Sequence, residues 1–133
     1  MDKEGKRKGE ENMREFDSKE LANVVCHALA DKRGRDIVKV FVRDKTSLCD
    51  YFVIASGSNP AQIKAMGERV EELISKEFGI DPTRTEGVRD GRWGVIDYGA
   101  VIVHIFNDET RLFYHLERLW VDGENVEKYV EEE

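Results

Sequence analysis

The sequence has few of the residues that build disulfide frameworks or metal sites. Its 133 residues include two cysteines, Cys26 and Cys49, and three histidines. Two cysteines cannot form a disulfide framework, and neither lies at a CxxC or Cys/His spacing that would hold a metal ion. We therefore predict a protein of a reduced compartment, the cytoplasm, with no metal or other cofactor.

Long apolar runs are also missing from the sequence. No run approaches the roughly 18 residues needed to span a bilayer, so no membrane partner is expected. The N-terminal string MDKEGKRKGEENMREF has no apolar stretch of the kind found in signal peptides. Its several acids also argue against a mitochondrial or chloroplast transit peptide.

The chain lacks an excess of positive charge. It has 21 Lys and Arg against 28 Asp and Glu, a net charge of −7, which argues against binding duplex nucleic acid through an overall basic field. Much of the acidity lies in residues 122–133, which hold one basic and six acidic side chains. We predict a charged, disordered tail over 1–16, one domain over 17–121, and an acidic tail over 122–133 that points into solvent.

Apolar patterning alternates between helical and strand character along the domain. Three helices are predicted, ending at Gly34, Gly79 and Gly123, with Asn59 and Asn107 as N-caps of the second and third. Five runs have strand character: 36–42, 51–55, 83–87, 92–98 and 100–106. The order α-β-β-α-β-β-β-α predicts an α/β sandwich with a five-stranded mixed sheet.

The third helix carries one apolar stripe, which we expect to pack on the sheet. The stripe consists of Leu112, Phe113, Leu116, Leu119 and Trp120. Trp120 is therefore expected in the core. His104 lies on a strand among apolar neighbours, so a buried, hydrogen-bonded structural histidine is favoured over a general base.

The turn from Ser56 to Pro60 opens a helix, whose backbone N–H groups could hold a phosphate. It lacks the Gly-Lys-Ser/Thr of a P-loop and the GxGxxG of dinucleotide folds. A nucleotidyltransferase would also need two acids, one residue apart on the next strand, to grip two Mg²⁺ ions, and the following segments have no such pair. An ordinary turn is favoured. A nucleotide-binding or nucleotidyltransferase-like enzyme is the alternative.

The second hairpin carries two large aromatic residues at unusual positions. Trp93 begins a strand, and Tyr98 lies in the turn that follows it. We expect part of each ring to face solvent, where aromatic side chains often supply the binding energy of an interface. The alternative for Trp93 is a place in the core.

Three sequence motifs of the domain occur together in an order that is typical of one protein family. DYFVIASGSNPAQIKAM, W-x-x-x-D-Y-G-x-V-I-V-H-I-F and E-T-R-x-F-Y-x-L-E-R-L-W occur in order between residues 18 and 121. They resemble the ribosomal silencing factor family, RsfS, also called Iojap. The resemblance implies a nucleotidyltransferase-like fold that has lost its catalytic acids, and a translation repressor that is not an enzyme.

The resemblance also implies a partner and a contact surface. Members bind the large ribosomal subunit through its fourteenth protein and block its association with the small subunit. The family's contact surface corresponds here to Trp93, Asp97 and Tyr98, and we extend it to Arg92 and Gly99, with Arg92 facing acidic groups or peripheral rRNA phosphate. An exposed hairpin edge and an apolar contact surface leave open a homodimer of the free protein.

Overall fold

A mixed β-sheet with helices on both faces organises the protein. The computed structural model describes residues 18–114 and 116–130. The elements in chain order are α1 (18–31), β1 (Arg35–Phe41), β2 (Tyr51–Gly57), α2 (Pro60–Phe78), β3 (Arg84–Glu86), β4 (Trp93–Asp97), β5 (Val101–Asn107), α3 (Asp108–Tyr114), α4 (Leu116–Trp120) and β6 (Val126–Lys128). The predicted tail over 1–16 lies outside the described residues.

The sheet order is β3-β4-β5-β2-β1-β6. β2 and β5 pair in parallel, and the other neighbouring strands pair antiparallel. The α/β class and the mixed sheet are therefore confirmed, with β2 and β5 at the centre and β3 at an edge. Both central strands are almost entirely buried, as expected for strands covered on two faces.

The predicted count of five strands was wrong, because a sixth strand forms inside the segment assigned to the acidic tail. β6 pairs with β1, and the Tyr129 N–H donates to the Ile37 carbonyl at 2.8 Å. Val126 packs on the core, and Glu127 forms an ion pair with Lys39 at 2.9 Å. Val126 and Tyr129 of this segment are partly buried against the sheet, so the segment does not simply extend into solvent.

Two separate clusters of apolar side chains cover the two faces of the sheet. On one face, α1 and α2 pack over β5 residues such as Val103 and Ile105. On the other face, Phe106 joins residues of β1 and β2, with Leu116 and Trp120 of α4 packed against them. The alternation along β5 thus places odd-numbered residues on the first face and even-numbered ones on the second.

The predicted helix caps are present where the structure describes them. Asn59 caps α2 by accepting a bond from the Gln62 N–H at 2.8 Å, and Gly79 ends the helix in a left-handed conformation. Asn107 accepts from the Thr110 N–H at 2.8 Å and caps α3. At the end of α1 the left-handed residue is Arg33, one position before the predicted Gly34.

The apolar stripe predicted for the last helix only partly faces the sheet. Trp120 packs against the second cluster, 5.4 Å from Phe52 between ring centroids, as expected. Leu112 and Phe113, in contrast, are 67% and 79% exposed, so their predicted packing on the sheet was wrong. Leu116 and Trp120 cover this face of the sheet, whereas Leu112 and Phe113, earlier in the helical segment, are exposed.

Gly87 is expected to be the least replaceable glycine of the β3–β4 connection. Its φ is +75°, and a Cβ there would lie 2.1 Å from the Trp93 carbonyl oxygen. Gly87→Ala should lower the free energy of unfolding by about 3 kcal/mol, from left-handed strain and overpacking together. Gly79→Ala is the matched control, because its φ is +67° with nothing within 4 Å, and it should cost about 1 kcal/mol. If urea unfolding shows the same loss of unfolding free energy for both variants, the predicted clash of a Cβ at Gly87 is contradicted.

Candidate partner-binding face

The five residues expected to bind a partner lie at the two ends of β4. Arg92 and Trp93 are at its start, while Asp97, Tyr98 and Gly99 are at its end. Side chains alternate along a strand, so Trp93 and Asp97 project from the same face as Val95. This is the second face of the sheet, the one covered by α4, and the two ends are about 13 Å apart.

Tyr98 projects to the opposite face and is not a surface residue. It is 8% exposed and belongs to the core cluster under α1 and α2. Burial raises the pKa of its phenol above the ordinary value, and its hydroxyl has no hydrogen-bond partner among the described residues. The expectation that part of the Tyr98 ring faces solvent was therefore wrong.

Asp97 and Gly99 build the turn between β4 and β5. The Gly99 N–H donates to Asp97 Oδ1 at 2.7 Å, and Gly99 has a φ of +83° that favours glycine. The Tyr98 N–H donates a hydrogen bond to the Val101 carbonyl at 2.9 Å, which closes the turn. Gly99 is exposed and Asp97 is half-buried, so this turn presents backbone and one carboxylate to solvent.

Trp93 is half-buried, so one part of its ring packs in the core and another part faces solvent. Its ring stacks on Phe106 at 5.0 Å between centroids and contacts Tyr114 at 4.9 Å. Its indole N–H donates to His104 Nδ1 at 3.0 Å. The packed side of the indole is thereby held in one orientation, and the remaining part of the ring is accessible.

His104 has the buried, hydrogen-bonded role predicted for it. It is 7% exposed and lies 5.3 Å from the Phe52 ring. Desolvation by burial lowers its pKa to about 4, so the imidazole is neutral at pH 7. Because Nδ1 accepts the Trp93 bond, the proton is on Nε2, which has no partner within the described part of the chain.

An exposed apolar patch on α3 adjoins Trp93, and the sequence patterning did not reveal it. The α3 patch consists of Leu112, Phe113 and Tyr114, which are 67%, 79% and 52% exposed. Tyr114 contacts both Phe113, at 5.2 Å between centroids, and Trp93. The α3 patch is thus continuous with the Trp93 side of the sheet. The sequence feature that could have indicated the patch is the apolar stripe of the last predicted helix, which is wider than the sheet can bury.

Neither a metal centre nor a membrane span is found in the residues that the structure describes. Within residues 18–114 and 116–130, no group of three or more His, Cys, Asp or Glu side chains is placed to hold a metal ion. None of the helices in these same ranges is long and apolar enough to cross a bilayer. Cys26 and Cys49 are separate and buried, and burial raises each thiol pKa to about 12.

Comparison with known proteins identifies the family. A model described as ribosomal silencing factor during starvation, RsfS, matches residues 15–133. The chain belongs to the RsfS family. The resemblance seen in the sequence is confirmed, and the RsfS match extends past residue 121 to include β6.

Relatives of similar length support the RsfS assignment. The chain is 33% identical to the ribosomal silencing factor RsfS of Halalkalibacterium halodurans, over 83% of this chain and 93% of that protein. It is 34% identical to RsfS of Zymomonas mobilis, over 90% and 89%. A crystal structure of a Chromobacterium violaceum protein matches with a TM-score of 0.73 and 33% identity, covering 77% of this chain and 84% of that one.

The buried His104 predicts a specific acid sensitivity. Its folded pKa of about 4 lies below the unfolded value of 6.5, so the unfolded state binds the proton first as the pH falls. His104 should therefore reduce the free energy of unfolding by about 2.5 kcal/mol between about pH 7.5 and pH 4.5. His104→Gln keeps an acceptor for Trp93 and removes the titration. Urea unfolding at both pH values should show a smaller loss for the variant, and an equal loss would contradict the prediction.

Proposed function

We propose that this RsfS-family protein represses translation by binding the large ribosomal subunit, through its fourteenth protein, and blocking association with the small subunit. The observation that carries the proposal is the contact face, which we define as Trp93, Val95, Asp97 and the α3 patch. It is an apolar surface on a member of a family named for ribosome silencing. No chemical step is required, so the protein acts as a binding domain and not as an enzyme.

The composition of the contact face suits a protein partner. Trp and Tyr side chains are enriched among the residues that dominate binding energy, and Trp93 and Tyr114 lie in contact here. Phe113 exposes most of its ring beside them. An exposed cluster of this kind is typical of an interaction site on a soluble protein.

The rigidity of the contact face also favours tight binding. Trp93 is held by the His104 bond and the Phe106 stack, and Asp97 is held by the Gly99 N–H. Side chains that are already fixed lose less conformational entropy when a partner covers them. We therefore assign Tyr98 a supporting role, because its buried ring fixes the turn that presents Asp97 and Gly99.

Exposed charges surround the contact face and can orient the partner. Arg92 is exposed next to Trp93, and Arg84 and Glu86 are exposed on the edge strand β3. Rim charges of this kind tune partner choice and association rate more than affinity. In this proposal Arg92 meets acidic groups or rRNA phosphate at the periphery, and the centre of the interface is protein.

Steric exclusion is sufficient for the proposed mechanism. An interface of ordinary size buries about 800 Å² on each partner. A bound domain of this size on the joining face of the large subunit would keep the small subunit away. The same apolar face is the candidate interface of a homodimer when the protein is free in the cytoplasm.

Phe113→Asp should weaken binding to the large subunit without unfolding the protein. Phe113 is 79% exposed, so a charge there costs little in the free protein, whereas burying that charge at the interface is expensive. We expect at least about a tenfold loss of co-sedimentation with isolated large subunits, and recovery of subunit joining in a light-scattering assay.

Ile80→Asp is the matched control for Phe113→Asp, because Ile80 is an exposed apolar residue just after α2 and is not one of the contact-face residues. It should sediment with large subunits as the wild type does. Unchanged binding of Phe113→Asp, or binding of the wild type to the small subunit alone, would refute the proposed function.

Trp93→Ala should reduce both stability and large-subunit binding. The substitution removes the Phe106 stack and the His104 bond of a half-buried ring, at a cost of about 2 kcal/mol in the free energy of unfolding. Trp93→Phe keeps most of the packing and should retain more of the binding. If Trp93→Ala remains folded by circular dichroism and binds large subunits normally, Trp93 does not contact the partner.

A further inference from the structure

The two central parallel strands end at a point where the chain leaves the sheet in opposite directions. After β2, the chain continues into α2 on the first face, and after β5 it continues directly into α3 on the second face. In open α/β sheets, ligands bind in the crevice outside the carboxyl ends of strands at such a switch point. Ser56 and Asn107 mark this end of the two strands.

A cavity of about 750 Å³ opens on the second face at this end of the sheet. It lies between β1 and β6 on one side and α3 on the other, and its walls are formed in part by Arg35, Ser56, Arg111, Leu112, Lys128 and Val130. This volume falls within the range of sites that bind small molecules. Leu112 lines the cavity and also belongs to the α3 patch, so the cavity adjoins the contact face along α3, while Arg35, Arg111 and Lys128 lie outside that face.

Two arginines of the cavity are already arranged to bind oxygen acceptors. Arg35 Nη2 donates to Ser58 Oγ at 3.0 Å and to both carboxylate oxygens of Asp108, at 3.0 and 2.9 Å. Arg111 Nη1 donates to Ser56 Oγ at 2.8 Å, and Ser56 is buried. Guanidinium groups held in this way match the planar, multi-oxygen geometry of carboxylates and phosphates.

The cavity has a small excess of positive charge although the protein is acidic. Arg35, Arg111 and Lys128 line it together with the two acids Asp36 and Asp108, and Arg35 and Asp108 neutralise each other in an ion pair. Lys128 forms no ion pair with any residue of the described part of the chain. A compact ammonium beside two guanidinium groups favours an anion with several oxygens.

Apolar side chains also line the cavity. Ile37 and Val38 of β1, with Leu112 and Val130, lie beside the charged residues, and Val38 is paired with Lys128 across the two strands. A ligand that fits this mixed lining has an apolar or aromatic group as well as a phosphate. Mononucleotides have this composition, and the cavity is large enough for one.

We propose that this cavity binds a phosphorylated small molecule with an aromatic group, of the nucleotide class, through Arg35, Arg111 and Lys128. The binding is not catalytic, since the proposal requires no metal ion and no bond is made or broken. It is independent of the proposed function on the ribosome.

Calorimetric titration of the full chain with ATP, in a buffer containing a metal chelator, tests the proposal. One ATP should bind per chain, pyrophosphate should bind more weakly, and adenosine should bind at least about tenfold more weakly, because it lacks the charged hydrogen-bond acceptors. Lys128→Glu should weaken ATP binding by about tenfold or more, and Arg35→Gln should also weaken it. Both residues are exposed at the surface, so both variants should fold.

Lys64→Glu provides the matched control. Lys64 is an exposed lysine on α2 with the same change of charge, and it does not line the cavity. Its ATP affinity should stay within about twofold of the wild type. The proposal is overturned if ATP does not bind, if adenosine binds as tightly as ATP, or if Lys64→Glu weakens binding as much as Lys128→Glu. Because no ribosome is present, each of these failures leaves the large-subunit proposal intact.

Discussion

The parallel pairing of β2 with β5 is the constraint on which the rest of the structure depends. Seven residues of each strand are in register, from Tyr51 opposite Val101 to Gly57 opposite Asn107. Since both strands are buried on two faces, helices must cover the sheet on both sides. The chain meets this requirement by sending α2 to one face and α3 with α4 to the other, and this divergence opens the cavity at the strand ends.

The two faces are covered unequally, and this asymmetry leaves apolar surface exposed on the second face. The first face is covered by α1, which runs over 18–31, and by the 19 residues of α2. The second face is covered by the much shorter α3 and α4, which leave β4 partly open. Trp93 therefore has a packed side and an accessible side, and α3 exposes Phe113 next to it. Aromatic surface therefore stays exposed on this side of the sheet.

Much of the fold could be predicted from the sequence because it depends on local signals. Asn59, Pro60 and Gly79 specify the ends of α2 through short-range hydrogen bonds and backbone preference, and apolar alternation specifies β5. β6 could not be predicted in this way. Its acidic neighbours dominate the local composition, whereas its pairing depends on the β1 edge, which is distant along the chain.

The candidate site was only partly predictable for a related reason. Trp93 and Asp97 could be assigned to one face from strand alternation. The same alternation continues one residue past β4 and places Tyr98 in the core, which its position in a turn did not indicate. The exposure of Phe113 depends on how much sheet surface is still uncovered after Leu116 and Trp120 have packed. The size of that uncovered area cannot be predicted from the local sequence pattern. An exposed apolar patch of this kind typically marks an interaction site. Its position beside a fixed tryptophan is the reason for proposing a partner that buries both.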